Sequence, residues 1–164
     1  MGQGADVRRY SWEPMKRSLR EPELRAWQAL LHAHHDLTRK LDAELRAEHG
    51  ISFDAYDVLL RLANAPEHAL RMTELAGRVM VAPSTLTRRV DRLVQQGYVE
   101  RDRIAHDSRA ILARLTPTGE RALRRAALTH LRGIREHYTG RLSDEQLREV
   151  ASGLEIIAGP HQPH

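Results

Sequence analysis

Between residues 84 and 109 this chain gathers hydroxyl and guanidinium side chains at spacings suited to binding a polyanion. Ser84, Thr85, Thr87, Arg88, Arg89 and Arg92 alternate with Leu86, Val90, Leu93 and Val94 in a helical period. A helix that buries the second set presents the first to solvent. Thr hydroxyls and Arg forks are groups that reach base edges in a major groove, and Arg also grips phosphate bidentately. Ser84 and Thr85 fall at the start of this helix, where backbone N–H groups lack intrahelical partners and suit a phosphate. Arg101, Arg103, His106 and Arg109 follow on a basic hairpin whose tip, residues 104–109, is polar or charged after its first two residues. A flexible loop ending in Arg matches what a narrow minor groove attracts. The bland use of such residues is a solvated basic face, but here the arginines focus on one helix face and one hairpin. The expected partner is double-stranded DNA.

Such side chains need a scaffold, and the flanking sequence describes one. Residues 74–79 read as a short helix capped by Thr73, with Leu75, Ala76 and Val79 inward. After a break at residues 80–82, Pro83 fits the first position of a new helix, where its missing N–H has no partner to lose. That helix runs to Gln96 and stops at Gly97. Short helix, three-residue turn and longer helix make helix-turn-helix arithmetic. The turn has no Gly, and Ala82 offers no capping side chain. Residues 98–103 and 110–115 alternate as two strands, giving the hairpin.

Around this unit the chain reads as helices. Leu24, Trp27, Leu30, Leu31, Leu37, Leu41 and Leu45 mark a first helix over Glu21–His49, closed by Gly50. It carries more apolar face than one such lobe can cover, which implies a second copy of the chain. Ser52 caps a second helix with Asp54 in its first turn and Tyr56, Leu59, Leu60 and Ala63 as its stripe. Thr116-Pro117 opens a long helix to about Tyr138, with the stripe Leu123, Ala127, Leu128, Leu131 and Ile134. The capping box Ser143-Asp144-Glu145-Gln146 opens the last helix, carrying Leu147, Val150, Leu154 and Ile157. The expected fold is mainly α with a small β-hairpin wing: a winged helix-turn-helix with N- and C-terminal dimerisation helices. Its divisions are an N-terminal arm (1–20), a dimerisation helix (21–50), the DNA-binding lobe (51–119), C-terminal dimerisation helices (120–158) and a tail (159–164). The arm holds Arg8, Arg9, Tyr10 and Trp12; it is either loose or ordered by packing of its two aromatics.

Composition agrees and excludes much else. The 164 residues suit one domain, and 4% aromatics with 29% charged residues fit an aliphatic helical core. Lys16 and Lys40 are the only lysines, so Arg carries the positive charge behind a formal net +4. With no Cys, disulfides, thiolate metal sites and thiol redox sensing are excluded. There is no long apolar run for a membrane span and no apolar stretch of a signal peptide near the N-terminus, so a cytoplasmic location is expected. No GxSxG, P-loop, HExxH or Cys nucleophile is present, and no enzyme is expected.

Leu86-Thr87-Arg88, Val90-Asp91-Arg92-Leu93, Gly97-Tyr98-Val99, Asp107-x-Arg109 and Leu115-Thr116-x-x-Gly119 together resemble the MarR family of bacterial transcription regulators. The resemblance covers residues 21–157. It implies a homodimer formed by the N- and C-terminal helices, a recognition helix in the major groove and a wing-tip arginine, Arg109, in the minor groove. It also implies a regulator, most simply a ligand-responsive repressor, on a pseudo-palindromic operator. The chain departs from the family pattern at Ala82, where a polar cap is usual, and at Ser108, where Arg or Lys is frequent. Asp107 and Asp91 are the candidates to brace the wing in place of an acidic residue at position 82.

The same resemblance implies a small aromatic or phenolic anionic effector, with no cofactor. Candidate contacts are Trp27, His32, His35, Tyr56 and Arg61; the histidines, with Asp36, share one face of the first helix. Ordinary packing is the competing use of each. Two other functions stay open: an architectural or antirepressor DNA-binding dimer without effector, and a zinc-responsive regulator using the His-rich first helix. Without a third placed ligand, no metal is assigned to those histidines.

Overall fold

The computed structural model describes residues 19–104 and 107–158, and of residues 103, 104 and 107–110 the backbone alone. The arm with Tyr10 and Trp12, the tail and His106 therefore lie outside the described residues, as do the side chains of Arg103, Asp107 and Arg109. Two compact units divide the chain, Met1–Asp36 and Leu37–His164. In order the elements are α1 (Glu21–His49), α2 (Phe53–Ala63), a 3-10 turn (Pro66–His68), β1 (Ala69–Arg71), α3 (Met72–Arg78) and α4 (Pro83–Gln95). Then come β2 (Val99–Ile104), β3 (Asp107–Leu115), α5 (Pro117–His137), a 3-10 turn (Thr139–Arg141) and α6 (Asp144–Ala158). The mainly helical class and the winged helix-turn-helix stand as read from the sequence.

Local chemistry explains most boundaries. Ser52 Oγ accepts from Ala55 N–H at 3.1 Å and Thr116 Oγ1 from Gly119 N–H at 3.0 Å. At α6 the box is reciprocal: Gln146 N–H donates to Ser143 Oγ and Ser143 N–H to the Gln146 side chain. Beyond α4, Gly97 turns left-handed (φ 71°), with Gly97 N–H bonded to Val94 O and Tyr98 N–H to Leu93 O. This is a Schellman stop. The same pattern recurs after α3, where Met80 N–H reaches Gly77 O and Val81 N–H reaches Ala76 O. Here the left-handed position, usually Gly, is held by Met80 at φ 51°. The helix-turn-helix turn lacks a glycine signal because a methionine takes the strained conformation, at roughly 1–2 kcal/mol.

Three expectations need correction. Thr73 does not cap α3: the helix begins at Met72 after Arg71, with no side-chain cap. Val94 is not buried but 38% exposed, since α4 turns only Leu86, Val90 and Leu93 fully inward. On α5 the buried face is Ala122, Leu123, Ala126, Thr129 and Gly133, while Leu128 and Leu131 lie 73% and 51% exposed. The strand β1 was not foreseen. It pairs antiparallel with β3 (Leu70 opposite Ala113), giving a three-stranded sheet in the order β1-β3-β2. Three residues are too short for an alternation to show.

The core sits under this sheet and among α2 to α5, where Leu59, Leu62, Leu75, Leu86 and Leu93 are at most 1% exposed. Each contributes about 1.5–3 kcal/mol by leaving water. The start of α5 is seated by a missing side chain: a Cβ at Gly119 would stand 2.1 Å from Tyr98 O, backbone that cannot yield. Thr116 N–H bonds that same carbonyl, and Thr116 Oγ1 donates to Gly97 O. The wing's exit and the entry to α5 are thus one joint. Farther along, Thr129 Oγ1 donates to Glu48 and lies 2.8 Å from His49 Nε2, and Arg132 also pairs with Glu48. This network fastens the end of α1 to α5. The hydroxyl of Thr129, aided by the Arg132 guanidinium, holds the Glu48 carboxyl below its ordinary pKa.

Candidate nucleic-acid interface

Helix α4 is amphipathic because its aliphatic residues recur every three or four positions, and burying Leu86, Val90 and Leu93 fixes what points outward. Ser84, Thr87, Arg88 and Arg92 are exposed, and Thr85 is half-buried. At its N-terminus Pro83 has no N–H and Ala82 supplies no cap, so no protein side chain competes there for an incoming acceptor. Thr87 Oγ1 donates to Pro83 O at 2.9 Å. The residue stays exposed with that bond made.

The arginines divide into two groups. Among the described residues Arg88 and Arg92 make no ion pair and stand free on the outer face. Arg89 is turned back, 22% exposed, and pairs with Asp54 of α2 at 2.8 Å. Arg101 of β2 reaches across to α4, donating to Asp91 at 2.6 Å and to Thr87 O at 3.2 Å. Asp91 was a candidate to brace the wing; it braces the strand leading into the wing, through Arg101. Arg103 pairs in the ladder opposite Ile111, and β2 and β3 continue to the pair Ile104 and Asp107. The strands therefore carry Arg109 toward the hairpin tip.

Sequence reasoning missed part of this surface. A cleft between the start of α2 and α4 is lined by Arg46, Ser52 and Gln96 together with Arg88, Arg89 and Arg92. Arg46 belongs to α1 and is ion-paired with Asp42 at 2.6 Å. Burial pushes the Asp42 carboxyl up, but hydrogen bonds from Arg46 and from Phe53 N–H outweigh it and hold the pKa low. Position alone gives no hint that Arg46, in α1, joins α4, which begins only at Pro83. Of the cleft's four guanidinium groups, those of Arg46 and Arg89 are paired with Asp42 and Asp54, and Asp54 itself lines the cleft, so Arg88 and Arg92 carry its unpaired positive charge.

The residues proposed for an effector are dispersed in character. In the first unit Trp27 is 50% exposed, and His32 and His35 are exposed. In the second, Tyr56 is 5% exposed with its ring 4.5 Å from that of His130, and Arg61 pairs with Asp57 at 3.1 Å. Burial pushes the Tyr56 phenol up and the His130 imidazole down, the latter against an opposing pull from Asp57. His130 Nδ1 is buried with no hydrogen-bond partner, and Phe53 flanks the same ring at 5.8 Å. Sequence spacing gave no sign of His130. Among the described residues no helix is long and apolar enough to cross a membrane.

Comparison with known proteins places this geometry. Residues 49–110 match the model of the MarR family. The transcriptional repressor YetL of Bacillus subtilis is 30% identical over 129 residues, spanning 75% of this chain and 77% of YetL. Among solved structures, the MarR family regulator Sco3205 of Streptomyces coelicolor, determined in complex with DNA, superposes with a TM-score of 0.81. It is 34% identical, over 88% of this chain and 91% of its own. AbsC, another such regulator from the same organism, gives 0.80 at 29% identity, over 87% and 96% of the two chains. The exposed Thr/Arg helix, the three-stranded wing and the helices around them are thus those of a DNA-binding transcriptional regulator, and the chain belongs to the MarR family.

Proposed function

We propose that the chain acts as a homodimeric, ligand-responsive repressor on a pseudo-palindromic operator. The observation that carries the DNA-reading part is the outer face of α4, where Arg88 and Arg92 are free and exposed beside Ser84 and Thr87. These four read bases or grip phosphate in the major groove. Thr85 and Arg89 set the approach from the cleft side, while Arg103, His106 and Arg109 belong to the wing and its minor groove. Arg101 holds helix and wing together. Arg88 and Arg92, unpaired in the cleft they share with Arg46 and Arg89, favour a phosphate of the DNA backbone there.

The dimer reading draws on uncovered apolar surface. Trp27 and Leu31 in the first unit, and Leu128, Leu131, Leu154, Ile156 and Ile157 in the second, are all at least 40% exposed. Residues 21–50 and 120–158 then serve assembly, and 51–119 serve DNA. YetL is named a repressor, which favours that sign of regulation. An effector of aromatic, anionic type is favoured by the unpartnered Nδ1 of His130 beside Phe53 and Tyr56. Trp27, His32, His35 and Arg61 are its further candidate contacts.

A gel shift on the DNA flanking the chain's own gene, repeated with phenolic acids and across salt, tests the reading. With six to ten phosphate contacts, affinity should fall by about three to five decades between 50 and 200 mM salt. Binding that barely responds to salt, or that shows no preference over bulk DNA, would remove the operator reading. Release by one phenolic acid would support the effector; indifference to the panel would leave an architectural DNA-binding dimer.

A further inference from the structure

Away from the basic face, α1 and α5 bring three metal-type donors to one point. Glu44 of α1 and Glu136 and His137, the last residues of α5, each offer a ligand atom, and all three atoms lie within 4.8 Å of one another. His137 Nε2 is 2.5 Å from Glu44 Oε1, with the two side chains 11% and 26% exposed. That contact satisfies only half of each group. Glu44 Oε2 and His137 Nδ1 are both buried without a hydrogen-bond partner, a state that native interiors avoid. Space at the orphaned oxygen is kept by Gly133, one turn before His137. A Cβ there would stand 2.8 Å from Glu44 Oε2 and 2.6 Å from Leu41 Cδ2. The helix therefore holds a notch open at the very atom that lacks a partner.

We propose that Glu44, Glu136 and His137 form a binding site for a divalent transition-metal ion of the zinc type, with solvent completing the shell. An imidazole beside carboxylates favours zinc, cobalt or nickel over magnesium and calcium, which prefer all-oxygen shells. Zinc bonds of about 2.0–2.2 Å at tetrahedral angles set donors roughly 3.3 Å apart. The Nε2 and Oε1 atoms must therefore part by somewhat less than 1 Å as the ion enters. As the dication takes the place of the proton that joins them, a neutral imidazole keeps its single proton by carrying it on Nδ1, and a dication between a neutral imidazole and two carboxylates closes the site's charge at zero. The ion would pin α1 to the end of α5 just before the turn into α6. This site is independent of the operator reading and uses none of the histidines at 32–35.

The test is titration of the metal-free full-length chain with Co(II), read by its visible d–d absorption, with Zn(II) as competitor. One equivalent should give bands stronger than those of the hydrated ion and raise the thermal midpoint, and Zn(II) should abolish the bands. His137→Gln, Glu44→Gln and Glu136→Gln should each weaken Co(II) binding at least about tenfold. Glu136 is exposed, so its variant tests the site without threatening the fold; far-UV circular dichroism of the metal-free proteins checks the other two. Absence of bands beyond the hydrated ion would leave a plain His–Glu hydrogen bond and overturn the proposal. Bands that persist unchanged in all three variants would do the same, by placing the metal on other histidines.

Discussion

The winged-helix lobe and the last helix are made of similar aliphatic residues and reach opposite ends. In the lobe, Leu59, Leu62, Leu75 and Leu86 are wholly out of water. In α6 no residue is buried, and Ile156 and Ile157 lie 82% and 76% exposed. Both segments are amphipathic, and α6 with its reciprocal Ser143–Gln146 box is better capped than α3 or α4, so helix formation does not separate them. What separates them is partners: α2 to α5 and the sheet close on one another, whereas in α6 only Leu147 of the stripe is half-buried, and Val150, Leu154 and Ile157 stay exposed. A periodic pattern states that a face will be covered; it does not state by which chain.

That contrast can be broken at several points. The largest effect belongs to the lobe: Leu86→Ala should cost about 2–5 kcal/mol in chemical denaturation, because the surrounding leucines cannot collapse into the void. The same kind of change on α6 should behave differently. Leu154→Asp should leave a single chain's unfolding within about 0.5 kcal/mol, as for other exposed sites. It should instead move the light-scattering mass from twice the 18.7 kDa chain to once. A wild-type protein that is already monomeric at micromolar concentration would end the dimer explanation of α6.

Next in size is a change that touches neither core nor stripe. Arg88→Ala should weaken operator binding by about 1–3 kcal/mol in a gel shift and relax base preference, with unfolding unaltered. An unchanged affinity would move the reading face off α4. A smaller effect concerns His130, whose burial lowers its pKa in the folded lobe. The unfolded chain then binds the proton more readily, so the stability this residue contributes is full above the unfolded histidine range near 6.5 and is lost as pH falls below it. His130→Phe should therefore flatten the decline of the thermal midpoint between neutral and mildly acid pH; an unchanged slope would assign that decline to other groups. Smallest is Met80→Gly. Relief of a left-handed methionine is nearly offset by the freedom glycine gives the unfolded chain, so stability should rise by no more than about 1 kcal/mol.

Much of this was legible before any coordinates. Gly50, Ser52, Thr116-Pro117 and the box at Ser143 are local signals, and each sits where the structure ends or begins a helix. The outer face of α4 was legible because its period is unbroken. Three things were not, for different reasons. Met80 hides a turn because the chain forces it left-handed by tertiary closure, against its own preference. Arg46 and His130 reach their neighbours only through packing between α1, α2, α4 and α5, and long-range approach leaves no trace in spacing. Arg89 and Arg101 have the residue type of DNA contacts, yet each has an acidic partner whose position only the fold reveals.

Arg101 carries the last consequence. By holding both Asp91 and Thr87 O it welds β2 to α4, so helix and hairpin form one jaw with a fixed bite. On the proposed interface, the width of DNA gripped by one subunit is then a constant, and the only adjustable dimension is the separation between the two jaws. Engineering this regulator toward a new operator thus divides into two independent tasks. On the proposed dimer, residues on α4 would change the letters, the helices outside the lobe would change the spacing, and Asp91→Ala would loosen the bite itself.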